Sequence, residues 1–298
     1  MRMAEMFAAL AMGGFVGASS ALAEETKAPS KSEGALVEAI KAGKPIIDVR
    51  YRFELREQAN FAEDAYANTV RTRLGYETGE FHHFKVLVEF ENVFSIGDDH
   101  FNSTTNGRTQ FPIIADPDAT EGNRAQVTFT GIKNAAVTLG RQRFNLANQR
   151  FVGSVDFRQN EQTFDAARLT VQPIKGLSAD YAYVSRVHRV FGDDHPLGEF
   201  ESDSHIMAAT YDAKSLGKLT GYGLLLDFEK APASSSATWG ARYENTLPVS
   251  KKVGVKLGMV GEYASQRDYA GNPANYREHY LHGEGALHVK DAALRVGY

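Results

Sequence analysis

Between Ile47 and Arg56 the chain alternates without a break. Ile47, Val49, Tyr51, Phe53 and Leu55 fall on one side, and Asp48, Arg50, Arg52, Glu54 and Arg56 on the other. Side chains of a strand point to opposite faces at every second residue, so this run predicts a strand with one apolar and one fully charged face. A strand on a soluble core rarely sets such a contrast. Charges at every second position need water, and an aromatic-rich opposite face of the same length needs lipid or a core.

The pattern recurs along the chain. Val70, Thr72, Leu74 and Tyr76 oppose Arg71, Arg73 and Glu77. Phe84, Val86, Val88 and Phe90 oppose Lys85, Glu89 and Glu91. Val127 and Phe129 oppose Arg124, Gln126 and Thr128. Further apolar rows are Ala135–Val137–Leu139, Ala167–Leu169–Val171 (against Arg168), Tyr181–Tyr183, Ile206–Ala208–Thr210, Tyr222–Leu224–Leu226–Phe228, Trp239–Ala241–Tyr243 (against Arg242 and Glu244) and Val253–Val255–Leu257–Met259. With the stretches Tyr276–Val289 and Ala293–Tyr298, about thirteen strands are predicted, with boundaries good to a few residues. Short connections are expected at Thr78–His82, Gly131–Asn134, Pro173–Leu177, Ala213–Lys218, Pro248–Lys252 and Val289–Asp291. Longer ones fall at Ile96–Asn123, Gln142–Glu161, Val190–Asp203, Lys230–Ala237 and Ser265–Asn275. Regular alternation of short and long connections is the signature of an up-and-down meander with two unlike rims. The fold class read from this is all-β: a transmembrane antiparallel up-and-down β-barrel with about 12–14 strands visible.

Composition is consistent with that reading and narrows it. The mean hydropathy of −0.35 is polar, as expected when half of each strand faces water. No run reaches the roughly 20 apolar residues of a spanning helix. A formal net charge of −4 gives no field for nucleic acid. The absence of cysteine excludes thiol chemistry and disulfides. Arg2, the apolar run Met6–Val16 and Ala21-Leu22-Ala23 predict a signal peptide over residues 1–23. Residues 24–45 are expected to be a periplasmic linker carrying a short helix over Ala35–Ala42, and 46–298 the barrel. A last strand ending at Tyr298 suggests a barrel incomplete at its C-terminus.

The segment Gly140–Leu169 breaks the pattern. Arg141, Arg143, Arg150 and Arg158 are interleaved with Phe144, Phe151 and Phe157. They are too many guanidinia for a core and too regularly mixed with aromatics for a disordered linker. Two readings stand: an ordinary external loop, or a loop folded inward as a constriction over Arg143–Gln159. Arg50, Arg52, Arg56, Arg71, Arg73, Arg124, Arg141, Arg143, Arg150, Arg158, Arg168 and Arg242, with Glu54, Glu89, Glu91 and Asp165, are the predicted pore-lining residues. Free guanidinia in a lumen would orient carboxylates or phosphates; alternatively, they pair with neighbouring carboxylates and fill the barrel.

Lys44–Glu54 together with Gly140–Arg143, Arg150–Gly153 and Arg158–Asp165 resembles the alginate-export family of outer-membrane porins. The resemblance implies a bacterial outer-membrane barrel of about 16–18 strands, an Arg-lined pore and passive diffusion of a small anionic or polar solute. It implies outer-membrane lipid as partner and no cofactor, and leaves the oligomeric state open. The carboxylates on the lumen rows (Glu54, Glu77, Glu89, Glu91, Asp165, Asp227, Glu244) depart from a purely cationic guide for a polyuronate.

Other chemistry is weakly indicated. Gly-Asp-Asp-His occurs twice, giving Asp98, Asp99, His100 and Asp193, Asp194, His195 as weak candidates for a divalent cation; Gly and Asp also form turns. No nucleophile elbow, metalloprotease helix, phosphate loop or dinucleotide fingerprint is present. Glu89 and Glu91 are spaced like a glycosidase pair, so a hydrolytic β-protein is one alternative, and a structural or adhesive barrel another. No reaction is expected.

Overall fold

The computed structural model describes residues 31–250 and 252–298; the predicted signal peptide lies outside them. One helix, α1 (Lys31–Lys41), precedes thirteen strands: β1 (Lys44–Arg56), β2 (Ala65–Glu77), β3 (Phe84–Ser95), β4 (Ala119–Phe129), β5 (Ala135–Gln142), β6 (Thr163–Ile174), β7 (Leu177–His188), β8 (Glu199–Asp212), β9 (Lys218–Leu226), β10 (Ser236–Ser250), β11 (Val255–Asp268), β12 (Arg277–Val289) and β13 (Ala292–Gly297). They form a single sheet in sequence order, every neighbour antiparallel, and β1 does not pair with β13. The meander and the strand total agree with the sequence reading, and the sheet is open.

The helix begins four residues before its predicted start. It is pinned from residue 36 onward to the short-turn rim: Gly79 N–H donates to Ala39 O (2.8 Å) and the Tyr76 hydroxyl donates to Ile40 O. Long connections (57–64, 96–118, 143–162, 189–198, 227–235, 269–276) gather at one rim and short ones at the other. Several strands run further toward the long-loop rim than the alternation predicted: β4 begins at Ala119, β8 at Glu199, and β11 continues to Asp268. Above an apolar belt both faces of a strand meet polar groups, so hydrogen-bonded pairing continues after the apolar–polar contrast has faded.

Register shows which face is which. Val86, Val127, Leu139, Ala167 and Tyr183 lie in one cross-strand row, on the face where Ile47, Val49, Tyr51, Phe53 and Leu55 are all more than half exposed. The opposite face carries Arg71, Arg73, Glu89, Glu91 and Arg242, all buried. The predicted split into an apolar outside and a charged inside therefore holds for β1–β4. On β6 and β7 the outer row is apolar as expected, but the inner face is apolar too, and on β8 and β9 the row expected outside turns inward. Phe164, Ala166, Ala182, Val184, Ile206, Tyr222 and Leu224 face inward and form one buried cluster. Tyr222 and Leu224 were expected to face outward; Trp239 instead covers the outside of β9, its ring lying where a Cβ on Gly223 would sit. The apolar inner wall is roofed by Phe144 and Val152 of the connection 143–162. Burying a Phe side chain contributes about 1.5–3 kcal/mol, so this wall is a docking surface for that connection.

Candidate functional site: a strap across the lumen

The connection between β5 and β6 folds inward. Gly140, near the end of β5, takes φ +108°, and a Cβ there would stand 2.3 Å from Ala125 O, so a side chain would not fit this bend. Four residues further on, Phe144 stacks on Phe164 with centroids 4.5 Å apart, and the Arg168 guanidinium covers its ring at 5.0 Å. The tip reaches the far wall. Asn148 donates to Glu262 of β11 (3.2 Å), Arg150 lies over the Tyr280 ring at 5.0 Å, and Phe151 packs against Tyr222 and Tyr280.

The return limb lies along β1 and β2. Arg50 donates to Gln159 Oε1 (2.8 Å), Asp156 O (2.8 Å) and Arg158 O. Arg52 donates to Phe157 O and covers the Phe157 ring. Gln159 donates to Thr69 Oγ1 (2.9 Å), while its own backbone N–H donates to Asp116 of the 96–118 connection (2.8 Å). Residues 143–162 thus run as a strap from β5–β6 to β11–β12 and back to β1–β2. Of the two readings of this segment, the inward one describes the structure. Val155 within it has φ +52°, a region a β-branched residue enters only when its surroundings impose it.

Glu161 closes the root of the strap. Its side chain is wholly buried and meets Arg143 (2.7 Å), Arg73 (3.3 Å) and Asn123 (2.8 Å). Beside it run Arg73–Glu91, Arg71–Asp48 (2.7 Å) and a two-pronged Arg124–Glu89 pair (2.9 and 2.7 Å). At the far wall Glu262 accepts from Tyr222 (2.7 Å) and Arg242 (2.7 Å), and Arg242 also meets Glu244 (3.0 Å). Toward the short-turn rim a cavity of about 720 Å³ lies against the strap, lined among others by Asn145, Asn148, Asp180, Thr210, Lys218, Arg242 and Glu244.

The predicted residues fall into three groups. Arg52, Arg71, Arg73, Arg124, Arg143, Arg158, Arg168 and Arg242 face inward and are each paired with a carboxylate, with Glu54, Glu89 and Glu91 among their partners. Arg50, Arg56 and Arg150 have no carboxylate partner among the described residues; Arg56 donates to Ile113 O and Arg150 rests on Tyr280. Arg141 and Asp165 do not line the lumen. They pair with each other (3.1 Å) in the cross-strand row of Ala125, two residues above outward-facing Leu139. Parity with Leu139 places both on the outside, near the long-loop rim.

The two Gly-Asp-Asp-His sequences build turns. Gly97 and Gly192 take φ +83° and +74°. His100 stacks on Tyr66 at 4.5 Å. His195 stacks on Phe191 at 5.0 Å and accepts from Leu197 N–H. Glu89 and Glu91, spaced like a hydrolytic pair, are held in the ion-pair wall. Sequence reasoning missed Asp116, Asn123, Gln159, Glu161, Tyr222 and Glu262. Their partners lie on other strands or loops, so local periodicity carries no trace of them.

Burial pushes the Asp116 carboxyl above the ordinary carboxylate range, against the opposing pull of the Gln159 N–H and of Arg52 and Arg158. Folding therefore takes up a proton between the ordinary and the raised value, and this group's share of stability falls as pH rises through that interval. Asp116→Asn keeps an acceptor for Gln159 and has no charge to bury. It should flatten that part of the stability–pH profile, measured by thermal melts across the acid range. A profile superimposable on the parent's would place the titration elsewhere.

Comparison with known proteins agrees with this architecture. The alginate-export family profile matches residues 46–185. No curated protein matches by sequence. Among solved structures, OccAB3 of Acinetobacter baumannii superposes with a TM-score of 0.68 at 12% identity, over 87% of this chain and 66% of that one. OccD3 (OpdP) of Pseudomonas aeruginosa gives 0.66 at 13% identity, over 87% and 57%. OccK2 (OpdF) of the same organism, solved in complex with glucuronate, gives 0.65 at 15%, over 87% and 64%. The chain therefore spans about three fifths of the length of these structures.

Proposed function

We propose that the chain, whose residues 46–185 match the alginate-export family profile, is an outer-membrane channel for passive diffusion of small polar solutes, with a preference for anions. The strap carries this reading. A segment pinned to two opposite walls inside a polar lumen sets a size limit, and polar groups flank it on both sides. The more than half-exposed belt of β1 fits outer-membrane lipid as the surrounding medium.

Anion preference rests on the guanidinia left without a carboxylate. A paired Arg presents little net charge to a passing solute, whereas Arg56 and Arg150 keep theirs at the long-loop side and at the strap tip. Such groups lower the barrier for a carboxylate to come in and orient it through paired N–H donors. The glucuronate bound to OccK2 is a solute of this class. Carboxylates in the cavity wall, Asp180 and Glu244, favour release over tight retention.

The test is single-channel conductance of the folded chain in a planar bilayer under a salt gradient. Discrete steps with an anion-shifted reversal potential are expected. In Arg56→Gln/Arg150→Gln that shift should move toward zero, while Arg141→Ala, on the outer face, should leave it in place. Absence of steps from a demonstrably folded barrel would sink the channel reading. Steps with an unaltered reversal potential in the Arg56/Arg150 double variant would remove those two as selectivity groups.

A further inference from the structure

At the long-loop end of β7, outside the lumen, His188 is buried at 4% exposure. Its Nε2 lies 3.0 Å from Asp165 Oδ2, so the proton belongs on Nε2 and the Nδ1 lone pair points away. Nδ1 is buried and finds no hydrogen-bond partner among the described residues. It faces Glu199 Oε2 at 3.7 Å and Asp193 Oδ1 at 4.0 Å. A buried imidazole nitrogen with an unused lone pair is costly unless something fills the place in front of it.

The charges around it point the same way. Arg141 compensates Asp165 and Arg186 compensates Glu199 (3.1 Å each). Among the described residues Asp193 makes no ion pair besides that with His188. Next to it Glu121, which accepts from the Asp193 N–H (3.0 Å), makes no ion pair within 4 Å, with Arg141 and His188 acting on it from further off. Four carboxylates thus share two guanidinia and one imidazole.

We propose that His188 Nδ1, Asp193 and Glu199 form a divalent-cation site of the zinc class, with Asp165 holding the imidazole ring in the ligating tautomer. One imidazole and two carboxylates is a donor set that zinc accepts, and a carboxylate behind the far ring nitrogen is its usual support. Two ligands at about 2.0–2.2 Å from one tetrahedral ion stand about 3.4 Å apart. The 3.7 and 4.0 Å separations are a few tenths of an ångström wider, so no three groups yet converge at coordinating distance. Closing them requires small turns of two side chains, Asp193 (58% exposed, on the 189–198 connection) and Glu199 (31% exposed). An ion there would tie that connection to β7 and β8 at the rim. Asp193 belongs to the second Gly-Asp-Asp-His sequence, but the imidazole it meets is that of His188, not its neighbour His195.

Zinc chloride titrated by calorimetry into the folded full-length chain in detergent, in metal-free buffer near neutral pH, tests this. A single equivalent should bind. His188→Asn and Glu199→Gln should each weaken binding at least tenfold, and Asp165→Asn by about 10–100-fold. Circular dichroism and melting curves verify that each variant is folded. Asp193→Asn, on an exposed loop, carries the test if His188→Asn does not fold. No zinc binding by the folded parent, or undiminished binding in the folded His188 or Asp193 variant, overturns the site. Parent stability that follows the imidazole titration with no response to zinc also overturns it, and makes His188 a protonated bridge between carboxylates instead.

Discussion

In the proposed channel, Glu161→Ala should give a wider, noisier pore while the sheet remains folded. Among the described residues Glu161 is the only carboxylate within 4 Å of Arg143 and the second for Arg73, and its side chain is wholly buried. Its removal leaves Arg143 without a counter-charge and Arg73 with Glu91 alone. Breaking a buried pair by deleting one partner costs about 3–5 kcal/mol; Arg143 is 35% exposed and Arg73 keeps Glu91, so the low end of that range is expected. The strand ladders of thirteen paired strands do not depend on this residue; the root of the strap does. The cheapest response is local: the strap lifts, water reaches Arg143, and the barrel survives. Single-channel recordings should show a larger mean conductance with frequent transitions, and limited proteolysis should cut within 143–162 far faster than in the parent. Glu161→Gln retains an acceptor for Asn123 and should fall between the two. Parental conductance and proteolysis from a folded Glu161→Ala chain would show that the return limb along Arg50 and Arg52 is enough to hold the strap.

The alternation of β1–β4 was legible because those strands carry charge inside and hydrocarbon outside, so parity and polarity coincide. On β8 and β9 parity was still legible but polarity misled. Periodicity says which residues share a face; it does not say whether an apolar face meets lipid or a strap. Tyr222 and Leu224 belong to an inner wall that is apolar because Phe144 and Val152 lie on it. The placement of Arg141 could have been read earlier: it is two residues from Leu139 and must share its face. The constriction was visible as composition, but its anchors were not. Arg50 and Gln159 are separated by 109 residues, and no local pattern links them. The two blocks on which the family resemblance was sharpest, Lys44–Glu54 and Gly140–Asp165, turn out to be mostly the two sides of this one contact. The helix start shifted because Lys31–Gly34 supplies a first turn that no apolar residue marks.

Glu262→Ala should loosen the strap from its other end, with a smaller cost and a different electrical signature. The Glu262 side chain is 1% exposed and receives three donors: Tyr222, Arg242 and Asn148. The arithmetic differs from that at Glu161, since Arg242 retains Glu244 at 3.0 Å and no guanidinium is stranded. What remains unpaired is a buried tyrosine hydroxyl and one arm of Arg242, for which about 1–3 kcal/mol is the ordinary cost. The tip then loses its hydrogen bond to β11 but keeps Arg150 on Tyr280 and Phe151 in its aromatic cluster. Intermediate conductance levels are expected, not the fully open one. Both residues act on the same segment, so their effects should not add. Once the root is free, the tip contact holds less, and Glu161→Ala/Glu262→Ala should be destabilised by less than the sum of the single changes while reaching a single open level. Additive stability losses with two independent gating patterns would mean that residues 143–162 are two separate flaps. In that case the far-wall contacts would belong to the tip alone.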